Sequence, residues 1–74
     1  MIQELDLVAL RIDRPVVGLR RGNVGTVVHI YDEGRIYEVE FLNAKGDTVA
    51  VETLIADEVR SVDLDRVMFH YSDL

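Results

Sequence analysis

Cysteine and tryptophan are absent from this chain, and proline occurs once. Without cysteine there is no disulfide to staple a small fold and no thiolate to bind metal or attack a substrate. Long apolar runs are missing as well. The longest is Leu7-Val8-Ala9-Leu10, too short to span a bilayer or to form the core of a signal peptide. Serine occurs only at Ser61 and Ser72 and histidine only at His29 and His70. With both serines so near the C-terminal end of a small domain, no Ser-His-Asp constellation is expected. An excess of positive charge is also lacking: eight basic side chains face 14 acidic ones, for a net charge of −6.

What is present suits one small folded domain. Seventy-four residues leave no room for a second core, and an apolar content of 49% with mixed charge argues against disorder. A chain this short buries only about 60% of its unfolded surface, so each apolar strand matters. The charge is uneven. Residues 1–37 carry five basic and five acidic side chains, whereas residues 38–74 carry three and nine. Phosphate neutralisation by Lys and Arg supplies most nucleic-acid affinity, so the acidic balance disfavours that partner. It favours a basic protein partner, because complementary fields steer encounter.

Breakers recur at short intervals: Pro15 and Gly18, Gly22 to Gly25, Asp32-Glu33-Gly34, and Asn43 to Asp47. The runs between them are rich in Val, Ile, Tyr and Phe. This pattern predicts an all-β domain of five short strands, at Leu5–Arg11, Val24–Tyr31, Ile36–Phe41, Thr48–Thr53 and Val59–Val62. The adjacent Val27 and Val28 break strict alternation and predict a bulge or burial of both faces. Gly34 and Gly46 supply left-handed positions for two hairpins. Asp13–Gly22 reads as a polar loop and Leu54–Glu58 as irregular or 3₁₀ structure. Strong curling into a small barrel would remove the exposed edges of so small a sheet. The expected core is Val8, Leu10, Val24, Val27, Ile30, Tyr37, Val39, Phe41, Val49, Val51, Leu54 and Val59.

The barrel is thus expected over residues 1–62, with 63–74 a separate C-terminal segment. Leu64, Val67, Met68 and Tyr71 recur at helical spacing, but so short a helix must dock on something, and the same letters would also make an edge strand.

No catalytic set, cofactor or metal site is expected. His29 and Glu38 face each other across the first hairpin, but two ligands hold metal weakly. Gly18-Leu19-Arg20-Arg21-Gly22-Asn23-Val24-Gly25 lacks both the Gly-Lys-Ser/Thr ending of a P-loop and a following helix.

Gly22-Asn23-Val24-Gly25-Thr26-Val27-Val28 resembles the strand entry of small SH3-like barrels. Four further stretches extend the likeness: Glu4 to Leu10, Ile30-Tyr31 with Tyr37 to Phe41, Thr48 to Leu54, and Asp57 to Arg60. In that order they resemble the bacterial family catalogued as domain of unknown function 4926, over about residues 3–62. The resemblance implies a stand-alone SH3-like β-barrel of bacterial cytoplasm, without assigned catalytic residues. It also implies an association of members with toxin-like genes.

The leading expectation is a non-enzymatic protein-binding module, of the antitoxin or immunity type, for a basic protein. Two surfaces are candidates: Glu38, Glu40, Glu52, Asp57 and Glu58 as an acidic face, and Met68, Phe69 and Tyr71 as an apolar one. The alternatives are a nucleic-acid-binding module using Arg14, Arg20, Arg21 and Arg35, with Tyr31 or Tyr37 for stacking, and a small accessory subunit of an enzyme complex. Homodimerisation through an edge strand or the C-terminal segment is a further expectation. No membrane partner is expected.

Overall fold

A computed structural model describes residues 1–62. The expectations for residues 63–74, a helix or an extra strand, lie outside the described residues. The fold is all-β. Five antiparallel strands form one sheet: β1 (Leu7–Leu10), β2 (Val24–Tyr31), β3 (Ile36–Leu42), β4 (Thr48–Ile55) and β5 (Val59–Ser61). No helix of the described residues is long and apolar enough to cross a membrane.

The strand order is β4-β3-β2-β1-β5, so the last two strands lie at opposite ends of the sheet. Only Ala56–Glu58, one 3₁₀ turn, joins them. Were the sheet flat, β4 and β5 would be four strand spacings apart, about 19 Å. They would also be offset along the strands. Ile55 lies in the row of Tyr31, whereas Val59 lies in the row of Leu10, whose N–H donates to Asn23. The eight steps along the strand from residue 23 to residue 31 add roughly 26 Å of offset. The link from Ile55 to Val59 spans at most about 14 Å even fully extended. The sheet is therefore forced to curl, as a small barrel requires.

β2 makes the curl. Its first half pairs with β1 (Leu7↔Thr26, Val8↔Gly25, Ala9↔Val24) and its length from Thr26 to Tyr31 pairs with β3. The expected bulge lies between Val27 and His29, where the register with β3 shifts; an extra residue there bends the strand and increases its twist. Gly25 serves the same bend. A Cβ at this position would lie 2.7 Å from Val39 Cγ1, 2.8 Å from the Glu40 carbonyl oxygen and 2.9 Å from Phe41 Cδ1. β3 crosses so closely that only glycine fits.

The concave side holds the core of Val8, Leu10, Val27, Tyr37, Val39, Phe41, Leu54 and Val59. Ile30 packs against it, half-buried. Three expected core residues are corrected. Val24, Val49 and Val51 are exposed, at 46%, 49% and 50%. For β4 the reason is parity. The strand runs on to Ile55, so Leu54 cannot share a face with Val49 and Val51. Pairing then decides the matter. Tyr37, Val39 and Phe41 point inward, so their partners Leu54, Glu52 and Ala50 do too. Val49 is the unpaired residue of a second bulge, between Leu42↔Thr48 and Phe41↔Ala50. The core also gains a residue from the Asp13–Gly22 loop. Arg14 and Leu19 exchange backbone hydrogen bonds of 2.8 and 3.0 Å, and this bridge folds Leu19 into the interior.

The first hairpin closes with three consecutive left-handed residues, Asp32 (φ 50°), Glu33 (φ 56°) and Gly34 (φ 91°), not with Gly34 alone. The strand ends differ slightly from expectation. β1 is shorter, β4 is two residues longer, and the irregular stretch is reduced to Ala56–Glu58.

Gly25→Ala is expected to lower stability by about 1–3 kcal/mol through overpacking. In a domain of this size that is a fall in Tm of several degrees or more, read by thermal unfolding followed by circular dichroism. An unchanged Tm would contradict the close strand crossing.

Candidate binding surface

Alternation along three adjacent strands builds the convex face. β3 sends Ile36, Glu38, Glu40 and Leu42 outward, and β4 sends Val49, Val51, Thr53 and Ile55. Across the ladders, Tyr31-Ile36-Ile55, His29-Glu38-Thr53 and Thr26-Glu40-Val51 form three successive rows. Two carboxylates thus stand in the middle strand with apolar side chains around them. Tyr31, Leu42, Val49, Val51 and Ile55 are all exposed.

Neighbouring hydroxyls hold both carboxylates. The Tyr31 hydroxyl donates to Glu38 Oε2 at 3.0 Å, and Thr53 Oγ1 donates to Glu38 Oε1 at 3.3 Å. Thr48 Oγ1 donates to Glu40 Oε2 at 2.8 Å. A carboxylate accepts about four hydrogen bonds, so each keeps capacity for an incoming cation. The hydrogen bond to Glu38, then partial desolvation and the adjacent negative charge, raises the Tyr31 phenol above its ordinary value of 10.0. His29 lies opposite Glu38 in the register but turns elsewhere. Its ring meets Tyr31 edge-on at 4.4 Å, and its Nδ1 lies 3.9 Å from Glu4 Oε2. Among the described residues no group of three or more His, Cys, Asp or Glu is placed to hold a metal ion.

The structure divides the other expected acidic residues. Glu52 is not on the outward face. It is half-buried on the concave side, where it lines a groove of about 470 Å³ with the stretch from Asp13 through Arg14 to Val17. Asp57 is exposed on the 3₁₀ turn. Glu58 is engaged within the fold. Its Oε1 accepts the Ile55 N–H at 2.9 Å, which satisfies an orphan donor at the start of the turn. The same carboxylate receives Arg14 Nη2 at 3.2 and 3.3 Å, while Arg14 Nε is buried with no partner among the described residues. Met68, Phe69 and Tyr71 lie outside the described residues.

The four arginines of the alternative are also dispersed. Arg14 is paired with Glu58. Arg35 sits on the first hairpin, 3.9 Å from Asp32. Arg20 and Arg21 lie on the loop before β2. Arg21 joins two arginines that the sequence reading missed: with Leu10 and Gly22, Arg11, Arg21 and Arg60 line a shallow hollow of about 370 Å³. Backbone carbonyls pin two of them, since Arg11 Nε donates to Val59 and Arg21 Nε to Arg11. Arg11 and Arg60 are far apart in sequence, and the β1–β5 ladder that joins them leaves no local signal.

Two predictions test these contacts. Glu38→Gln is expected to lower the Tyr31 pKa back toward the ordinary phenol value, read by NMR titration of the Tyr31 ring. Because the folded value is raised, the stabilisation from this contact stands below the ordinary phenol range and is lost as pH climbs through the raised value. An unmoved titration would show that Glu38 does not hold the phenol. Glu58→Ala is expected to cost about 1–2 kcal/mol in urea unfolding, whereas Glu58→Gln, which still accepts the Ile55 N–H, costs clearly less. Equal losses would place the effect in the Arg14 ion pair instead.

Searches of curated proteins and of solved structures returned no match to the chain. The model of one family, described as domain of unknown function (DUF4926), matches residues 4–61. That span takes in all five strands, the bulged β2, and the 3₁₀ turn with its capping Glu58, and on this match the chain belongs to the DUF4926 family.

Proposed function

We propose that the chain is a non-enzymatic protein-binding module of the bacterial cytoplasm, which engages a basic partner through the convex face of β3 and β4 in the manner of an antitoxin or immunity protein. One observation carries this reading. Glu38 and Glu40 are held by hydroxyls at the centre of a face whose remaining exposed side chains are largely apolar. Scattered surface apolar residues need no explanation, but a contiguous set around fixed charges has the make-up of an interaction site. The carboxylates select and orient a cationic group, and burial of Tyr31, Val51 and Ile55 contributes affinity. An accessory subunit of an enzyme complex would use the same surface.

The Arg11, Arg21 and Arg60 hollow favours a second reading, binding of nucleic acid, with Arg20 beside it on the loop. The net charge of −6 opposes it.

The test is a pull-down from the native host at low salt, with the full chain and with a Glu38→Lys/Glu40→Lys variant as bait. A basic protein retained by the wild type and reduced about tenfold or more with the variant supports the first reading. No protein partner, with single-stranded or duplex probes bound in a salt-dependent way and lost on Arg21→Ala or Arg60→Ala, would replace it with the second.

A further inference from the structure

Among the described residues β4 is an end strand, paired on one side only. In an antiparallel ladder, alternate residues turn their N–H and C=O toward the partner strand, and the others turn them away. The Ala56 N–H donates to the Arg35 carbonyl at 2.9 Å, one step beyond the Ile36↔Ile55 pair. Counting back in steps of two, Leu54, Glu52 and Ala50 face β3. Val51, Thr53 and Ile55 therefore turn their backbone groups to the free edge. Ile55 bears this out, since its N–H donates to Glu58 and not to β3. Among the described residues, no group outside the β3 ladder bonds the backbone of Val51 or Thr53.

Natural edges of this length are usually blunted by lysine, proline or a covering loop. β4 carries neither lysine nor proline, and it exposes Val49, Val51 and Ile55. Its concave side opens onto the groove of about 470 Å³ between Glu52 and the stretch from Asp13 to Val17.

We infer that this edge accepts an extended segment of a basic protein as an added strand; the inference rests on the protein-binding reading and names the partner's conformation. The backbone of Val51 and Thr53 would continue the ladder. Alternate side chains of the added strand would fall on the two faces. On the convex face they would pass over Val51 and Thr53 toward Glu38 and Glu40, about two strand spacings or 10 Å away. A lysine or arginine meeting a glutamate covers that distance. On the concave face they would enter the groove lined by Glu52, Asp13 and Arg14, whose guanidinium is already paired with Glu58. Charge decides between this occupant and a second copy. Asp47, Glu52 and Asp57 lie on or flank the strand, Glu58 being paired with Arg14, and each chain carries −6. Two β4 edges brought together would set these groups against their own kind, whereas a basic strand is attracted along its length.

The experiment uses the isotope-labelled full chain and three end-blocked octapeptides. One alternates lysine with threonine. The second is the same peptide N-methylated at every backbone amide, and the third has glutamate for lysine. Affinity is read by fluorescence anisotropy, edge protection by amide exchange, and self-association by sedimentation. The lysine peptide is expected to bind and to slow exchange at Val51 and Thr53. N-methylation, which leaves the charge unchanged, should weaken binding about tenfold or more, and the glutamate peptide should not bind. Val51→Lys/Thr53→Lys alters only exposed side chains and should also weaken binding about tenfold, with the circular dichroism spectrum retained. Equal binding of the N-methylated peptide would remove strand addition and leave a general acidic attraction, with the protein-binding reading intact. Protection of Val51 and Thr53 without peptide would give the edge to a second copy where it rises with protein concentration, and to residues 63–74 of the same chain where it does not. Absence of peptide binding at low salt would end the inference, while the pull-down decides the broader reading separately.

Discussion

The fold depends on one geometrical constraint: three residues, Ala56 to Glu58, must connect the strands at the two ends of the sheet. A flat sheet places those ends farther apart than the link can reach, so the sheet curls. The curl requires a bendable β2, which Gly25 and the bulge after Val27 provide. It also requires a defined entry into the link. There Glu58 turns back to take the Ile55 N–H while pairing with Arg14 from the loop between β1 and β2. An acidic residue that composition alone would place in a binding surface is instead part of the closure. Burying Glu58 in part is tolerable because its carboxylate has both a backbone donor and a guanidinium.

The strands were legible in the sequence because their breakers were. Asp32-Glu33-Gly34 and Asn43 to Asp47 marked both hairpins, and the doubled Val27-Val28 marked the bulge. β3, with Tyr37, Val39 and Phe41 inward, alternates cleanly, and its faces were assigned correctly. β4 was harder. Its odd positions hold Val49 and Val51 and its even positions hold Ala50, Glu52 and Leu54, so local hydropathy favours the wrong face. Only the pairing with β3 settles the orientation, and pairing is a non-local property. Leu19 was hidden for a related reason. A leucine between Gly18 and Arg20 looks like part of a polar loop until the Arg14–Leu19 bridge folds it inward.

The candidate site inherits this division. Glu38 and Glu40 could be located from alternation alone. Glu52 could not, because it shares the parity of Leu54, and Glu58 could not, because its partners come from distant segments. The arginines show the same limit. Arg14, Arg20, Arg21 and Arg35 are neighbours only in composition. The grouping that the fold makes is Arg11, Arg21 and Arg60: the β1–β5 ladder brings Arg60 beside Arg11, and Arg21 Nε donates to the Arg11 carbonyl.

An exposed strand edge lined with valine and isoleucine is a hazard for any protein, since it templates pairing with other copies. In this chain the usual guards, lysine or proline on the strand, are missing from β4. What remains are the bulge at Val49, the capped N–H of Ile55, and negative charge on both faces and at both ends. Charge of one sign repels copies of the same chain without repelling a basic strand. The acidity that keeps this edge from pairing with itself is therefore also a filter for what it can pair with. A lysine guard on β4 would protect the edge equally well from self-association but would turn away the cationic partner, so the choice of carboxylates over lysines is where solubility and recognition meet.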